Sequence, residues 1–393
     1  MTMKKKIIIG VMVFMLLLGL TGCGSKNSNT SSNTGTKTST TDTGKLVYSD
    51  IFTDRDLEQT VDTSNAIKYT VKDGEDITIT KEGVYVISGS AQNVSIIVDA
   101  DDEEKVQLVL DDLTITNESK PCIYVKNADK AFVNITGDNN LSVTGTFASD
   151  GDTNTDAVIF SKDDIVLNGT GNLTVKSTDN GITSKDDLKI TGGTINITST
   201  SDALEANNSI AIADGNITIN SKKDGLHAEY SEDDSQGYVY IAGGTLNITA
   251  TDDAIHATTI TQINDGNIKT SAREGIEATY VQINGGTIDI TASDDGINAA
   301  AQSKSYTATV EIAGGSLTID MGQGDTDAID SNGYIYVSGG TINITAQSAF
   351  DYDQDAKYTG GTIIVNGEET NEITNQMMGG GNMQNGPQGG MRR

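Results

Sequence analysis

Six acidic residues recur at nearly even spacing: Asp202, Asp224, Asp253, Glu274, Asp295 and Asp327. Each opens the same phrase of acid, small residue and aliphatic residue, as in Asp202-Ala203-Leu204, Asp224-Gly225-Leu226 and Glu274-Gly275-Ile276. If successive phrases stack, the acids form a column. Like charges ~5 Å apart repel by roughly 1 kcal/mol in water and by more when partly buried. Two arrangements answer that repulsion. Each carboxylate can accept backbone N–H groups in its own turn, which also spreads the pKa values. Alternatively Ca²⁺ lies between the coils, held by carboxylates and turn carbonyls as hard oxygen ligands. The preceding positions, Lys223, Asp252, Arg273 and Asp294, alternate in sign and neutralise one another along the ladder. The carboxylate column has no such partners, so calcium is expected there, first at Asp224, Asp253 and Asp295.

Three residues further on, a second column reads Glu205, His227, His256, Glu277, Asn298, Asp330 and Asp351. It holds both histidines of the chain. A transition-metal pair or a general base is conceivable, but two histidines without a third nitrogen or sulfur ligand read first as a polar ladder. Arg273, which a lyase could use as a base, is accounted for as an ion-pair partner, and no catalytic residue is assigned. Tyr238, Tyr240, Tyr280, Tyr334 and Tyr336 are expected to face outward. Exposed rings stack on sugar faces, and with no tryptophan in the chain these tyrosines are the candidates for that contact. A third set, Thr194-Asn196-Thr198, Thr245-Asn247-Thr249, Thr287-Asp289-Thr291 and Thr341-Asn343-Thr345, would make a flat array of hydroxyls and amides. Insertions at 229–236 and 299–308, near the tyrosine face, could form the walls of a groove.

What must position these columns is a repeat. The phrase also appears at Asp156, Asn180 and, degenerate, at Ser348, with a base interval of 21 to 22 residues and a few longer steps. Glycine pairs such as Gly192-Gly193, Gly243-Gly244 and Gly285-Gly286 keep the same beat. A fixed period of this size means a solenoid. Around each pair, apolar residues alternate with polar ones: Leu188 and Ile190 before, Ile195 and Ile197 after. Period-two runs bounded by Gly and Asp are strands. The expected fold is therefore all-β, a right-handed single-stranded parallel β-helix. Stacking would turn Ile190, Ile212, Ile241, Ile263 and Ile283 into one internal column with a rise of ~4.8 Å per coil. Right-handedness follows from the hand of parallel crossovers. The scarcity of proline, Pro121 and Pro387 alone, suits strands whose N–H groups are all engaged.

Lys4, Lys5 and Lys6 precede an apolar run over 7–20, too short for a comfortable span, which reads as a signal peptide over 1–22. It ends in Leu20-Thr21-Gly22-Cys23, similar to the bacterial lipobox, so Cys23 is the expected lipidation site and the expected location is the outer side of the cell membrane. Processing leaves Cys122 as the remaining cysteine, so no intrachain disulfide can form. It also removes three lysines, leaving 23 basic against 55 acidic residues, a net charge of −32. Such a surface repels nucleic acid and anionic headgroups and attracts divalent cations. Residues 23–48, rich in Ser, Thr and Asn, read as a flexible tether, with an r.m.s. reach of roughly 25 Å. Residues 49–368 read as the β-helix, one elongated domain, and 369–393 as a disordered Gly/Met/Gln-rich tail.

The run Val106-Gln107-Leu108-Val109-Leu110-Asp111-Asp112, then Pro121-Cys122-Ile123-Tyr124-Val125-Lys126-Asn127-Ala128, then Ala157-Val158-Ile159-Phe160-Ser161-Lys162-Asp163-Asp164, then Asn168-Gly169-Thr170-Gly171 resembles a family of carbohydrate-binding-domain proteins of Gram-positive bacteria. That family includes a cellulose- and acidic-sugar-binding protein of a cellulolytic clostridium. The resemblance covers roughly residues 52–366. It implies a β-helix like that of polysaccharide lyases, bound calcium, and sugar binding without an assigned reaction. The expectation is thus a lipid-anchored monomer that binds calcium and a polysaccharide, cellulose or an acidic plant or cell-wall glycan. Its rivals are a calcium-dependent polysaccharide lyase and a structural adhesin or spacer with a protein partner.

Overall fold

A computed structural model describes residues 45–376 apart from 234, 324 and 325. The chain is all-β, with one short helix, Tyr48–Ile51. The strands join in one continuous sheet in which nearly every pairing is parallel and runs to the next coil. Most coils carry three strands, giving three faces. On the first face, Leu204–Ala206 pairs with Leu226–Ala228, which pairs with the first half of Asp253–Ile263. On the second, Ser209–Ile212 pairs with Tyr238–Ile241. On the third, Asn216–Asn220 pairs with Thr245–Thr249.

Alternation explains the interior. Ile190, Ile212, Ile241, Ile263, Ile283 and Ile312 are register partners in sequence, one per coil, and all are buried. Each such side chain is worth roughly 1.5–3 kcal/mol on burial, which no single coil could realise alone. One apolar core runs from Val71 to Ile363.

The glycine pair makes the corner between the second and third faces. Its second member has positive φ, for example 88° at Gly193, 86° at Gly286 and 80° at Gly340, a region that L side chains avoid. At Gly286 a Cβ would also lie 2.9 Å from the carbonyl oxygen of Gly266 on the coil below. Gly286→Ala is expected to cost about 1–3 kcal/mol in thermal melts. Gly367→Ala, with φ 85° but nothing within 4 Å of its Cβ, should cost less. Equal losses would mean that stacking contributes nothing to the requirement for glycine.

Two segments depart from the expected boundaries. Lys45 and Leu46, assigned to the tether, are bound to the solenoid: the N–H groups of Lys45 and Leu46 donate to the side-chain oxygens of Gln282 and Gln262 at 3.2 and 2.7 Å. Residues 45–59 form a strap that crosses the second face. Ile51 and Phe52 are buried on it. Gln59 Nε2 donates to the Thr191 carbonyl at 2.9 Å, and the Gly169 N–H donates to Gln59 Oε1 at 3.0 Å. Beneath the strap, Asp56 is fully buried between Lys130 Nζ at 3.4 Å and Lys189 Nζ at 3.6 Å. At the other end, Glu368–Thr370 turns back antiparallel on Thr362–Val365. The Gln376 N–H then donates to the Phe350 carbonyl at 2.9 Å. Order therefore extends beyond 368. The antiparallel return covers a sheet edge that would otherwise invite another strand. The signal peptide, Cys23 and most of the tether and tail lie outside the described residues.

Candidate functional site

The acids of the repeated phrase do form a column, at the entry to the first-face strands. Each is placed by its own backbone: the Ala203, Gly225 and Gly296 N–H groups donate to the carbonyls of Asp224, Asp253 and Asp327 on the next coil at 3.0, 2.9 and 2.9 Å. The side chains follow a second rule. Asp202 Oδ1 accepts the N–H of Asp224 at 2.9 Å, Asp224 Oδ1 that of Asp253 at 2.9 Å, and Asp295 Oδ1 that of Asp327 at 3.2 Å. The carboxylates thus bond between coils, not within their own turns as the local alternative supposes.

In Asp202, Asp224 and Asp253 the second oxygen meets a cation of the protein. Asp202 Oδ2 lies 3.6 Å from Lys223 Nζ. His227 Nδ1 is 2.5 Å from Asp224 Oδ2, and His256 Nδ1 is 3.2 Å from Asp253 Oδ2 and 2.9 Å from Glu277 Oε2. Arg273 bridges Asp252 and Asp294, as the alternating signs imply. It also reaches Asp253 Oδ1 at 3.1 Å and Glu274 Oε1 at 2.5 Å. The expectation that this column lacks positive partners is therefore corrected for Asp202, Asp224, Asp253 and Glu274. The histidine and arginine side chains cross from neighbouring columns, which a set of vertical stripes does not reveal.

The electrostatics divide accordingly. Burial pulls His256 down, but its bonds to Asp253 and Glu277 outweigh that and raise it to about 10. Burial pushes Glu277 up, yet the bond from His256 holds it below the usual carboxylate range. Burial likewise pushes Asp224 up, and the His227 bond returns it below that range. Further along, burial and then Asp330 and Glu274 raise Asp295 to about 7, against the bond from Asp327. Burial and Asp351 raise Asp330 to about 6. Among the described residues, no Lys, Arg or His lies within ion-pair distance of Asp295 or Asp330. Between them, Asn298 Oδ1 is buried without a hydrogen-bond partner, while its Nδ2 donates to Glu274 Oε2 at 3.1 Å.

The second column is in register from Glu205 through His227, His256, Glu277, Asn298 and Asp330 to Asp351. The two imidazoles stack with centroids 4.9 Å apart and planes 12° from parallel. Beside them opens a cavity of about 410 Å³, lined by Glu229, Tyr230, Ser231, His256, Thr258 and Gln302. Glu229, Tyr230 and Ser231 come from the insertion at 229–236 and Gln302 from that at 299–308, so the two insertions do flank a hollow. Those individual lining residues carry no repeat signal and could be located only as members of the insertions.

The tyrosines are largely covered. Tyr240 is fully buried, its ring 6.1 Å from Phe52. Tyr280 is buried, with Lys45 Nζ 4.2 Å from its centroid, Tyr306 at 5.9 Å and Glu311 on its hydroxyl. Tyr238 packs at the edge of the strap's apolar cluster. All three lie on the strapped face, so outward orientation does not give exposure. Tyr334 and Tyr336 stay half-exposed and stack on each other at 5.6 Å. The threonine array is present as a plane: Asn196, Thr218, Asn247, Lys269, Asp289, Thr318 and Asn343 are successive register partners on the third face.

A sequence profile of the family described as "Carbohydrate-binding domain-containing protein" matches residues 73–328. A curated "Carbohydrate-binding domain-containing protein" of Acetivibrio thermocellus is 42% identical over 272 residues, which cover 68% of this chain and 91% of that protein. A solved structure, "Structure of the polysaccharide lyase-like protein from C. thermocellum, Gadolinium derivative", is similar with a TM-score of 0.51 and 34% identity, over 57% of this chain and 96% of that one.

Proposed function

Because this chain belongs to the family of carbohydrate-binding domain-containing proteins, we propose that it is a cell-surface lipoprotein, anchored through Cys23, that binds a polysaccharide on a right-handed, calcium-stabilised β-helix. The observation that carries the binding site is the hollow between the two insertions. It is open, of mixed polar and apolar lining, and built on a floor of paired strands. Tyr230 offers an aromatic face to a pyranose, and Ser231 and Gln302 offer hydroxyl and amide partners. Right-handedness rests on the general preference of parallel crossovers.

Calcium is assigned to the end of the acid column where, among the described residues, no Lys, Arg or His lies within ion-pair distance. Asp295, Asp330 and the buried Asn298 Oδ1 are the oxygen donors there, with Asp327 and Glu274 adjacent in the column. Bound there, Ca²⁺ would neutralise desolvated carboxylates. The similar solved structure is a gadolinium derivative, and gadolinium is an ion of the same hard, oxygen-seeking kind. The acids of this face repel a uronate, so an acidic glycan needs the cation, whereas cellulose does not. Arg273, engaged with four carboxylates, is not available as a lyase base, which favours binding over cleavage.

Pull-down of the mature chain on insoluble cellulose and on pectate gels, with and without EDTA, tests this. Retention on one polymer is expected, weakened about tenfold or more by Tyr230→Ala, as the loss of an aromatic platform worth roughly 1–2 kcal/mol implies. Pectate retention should vanish with EDTA. No retention on either polymer, or release of unsaturated uronate from pectate, would overturn it in favour of an adhesin or a lyase respectively.

A further inference from the structure

The two histidines are more organised than a polar ladder requires. Each Nδ1 is committed to a buried carboxylate: His227 to Asp224 at 2.5 Å, His256 to Glu277 at 2.9 Å and Asp253 at 3.2 Å. Those bonds fix ring orientation and tautomer and turn Nε2 toward the insertion. His227 Nε2 lies 3.2 Å from Glu229 Oε2. His227, Glu229 and His256 each offer a ligand atom within 4.8 Å of the others.

We propose that His227, His256 and Glu229 form a site for a divalent transition-metal ion of the zinc class, with a fourth position open to the hollow that Glu229 and His256 line. Two imidazoles and a carboxylate plus one open position are the donor set of zinc sites that keep a water. Around a tetrahedral ion with bonds of 2.0–2.1 Å, ligand atoms lie about 3.3 Å apart. His227 and Glu229 already have that spacing, and the Glu229 side chain, half-exposed on its loop, can adjust to His256. The carboxylates behind each Nδ1 supply the outer shell that such histidines use to raise their basicity toward a metal. Asp202, Asp253 and Glu277 add negative potential, and Arg273 is already neutralised by its own partners. Nitrogen donors separate this site from calcium, which takes oxygen ligands. The metal site is independent of whether the hollow holds a sugar, and its test uses none.

The mature chain, stripped with chelator and then held in excess Ca²⁺ to fill oxygen sites, is titrated with Zn²⁺ by calorimetry and with Co²⁺ by visible absorption. One equivalent of Zn²⁺ is expected, and Co²⁺ should give the intense visible bands of a four- or five-coordinate site. Glu229→Ala, at an exposed position where unfolding is not at issue, should weaken Zn²⁺ about tenfold or more. His227→Asn and His256→Asn, checked for folding by circular dichroism, should remove the cobalt bands. No zinc uptake, uptake abolished by Ca²⁺, or an unchanged titration in Glu229→Ala would overturn the proposal.

Discussion

Asp56→Ala is expected to destabilise the protein by about 3–5 kcal/mol, the cost of breaking a buried ion pair by removing one partner. Asp56 is fully buried, and the side chains of Lys130 and Lys189 are only 12% and 9% exposed. Burial alone would push the carboxyl up. The Thr53 N–H at 3.0 Å and the two ammonium groups outweigh it and hold Asp56 below its usual value of 3.8. Its contribution is therefore present above pH ~4 and lost as pH falls through the lower folded value. Without the carboxylate, two desolvated cations face each other under the strap. Lys130 keeps its ion pair with Asp164 at 3.5 Å and Lys189 its bond to the Ile51 carbonyl at 2.5 Å, so one carboxylate is left facing two ammonium groups. The strap should detach before the coils melt, baring Tyr240 and the Arg55–Phe132 contact at 4.4 Å. Trypsin cleavage at Arg55 should accelerate, and the fall in melting temperature at pH 7 should shrink progressively as pH drops below ~4. Asp56→Asn, which keeps the acceptor for Thr53, should lie between. Unchanged proteolysis and melting in Asp56→Ala would mean that the strap is held by Ile51 and Phe52 alone.

That strap also marks the boundary of what the sequence discloses. Within the repeat, interval becomes register, because every coil must close on the one below. Ile190, Ile212 and Ile241 can thus be stacked on paper despite the eight-residue insertion between the last two coils. The acid phrase and the threonine plane are legible for the same reason. Asp56 finds Lys130 and Lys189 across 74 and 133 residues with no period to announce it. The available signals are weaker: Ile51, Phe52 and Leu57 in a polar stretch, and lysines at outward positions of the second face. The outward, exposed placement of Tyr240 fails in consequence, since alternation gives the side a residue points to but not what lies over it. The histidines show a subtler limit. Asp224 and His227, like Asp253 and His256, are three apart, and sorting them into separate columns hides the bond between them.

In calcium-free buffer the protein is expected to melt at a higher temperature at pH 5.5 than at pH 8, the reverse of what salt-bridged carboxylates give. Asp295 is raised to about 7, and Asp330 and Asp156 each to about 6, from an ordinary 3.8, with burial the first cause in every case. The folded state therefore binds more protons than the unfolded chain between pH ~4 and ~7, so stability falls as pH rises through that window and is lowest above it. A tenfold change in proton affinity corresponds to about 1.4 kcal/mol. Partial exposure screens these groups, leaving roughly 1–2 kcal/mol apiece. Asp56, Asp224 and Glu277 are held below their usual values, so they act in the opposite sense but only below pH ~4.5. His256, raised to about 10, acts in the same sense as Asp295 and adds to the loss of stability above pH ~6.5. Asp295→Asn isolates the effect, because the amide oxygen can still accept the Asp327 N–H now at 3.2 Å. At pH 8 without calcium this variant should melt about 1–4 °C above the parent. With calcium present the order should invert, since the parent gains a ligand-bound state that the variant has weakened. A variant that melts below the parent at pH 8 in EDTA would show that the Asp295 charge already has a partner, and would remove both the desolvation argument and the best-placed calcium ligand together.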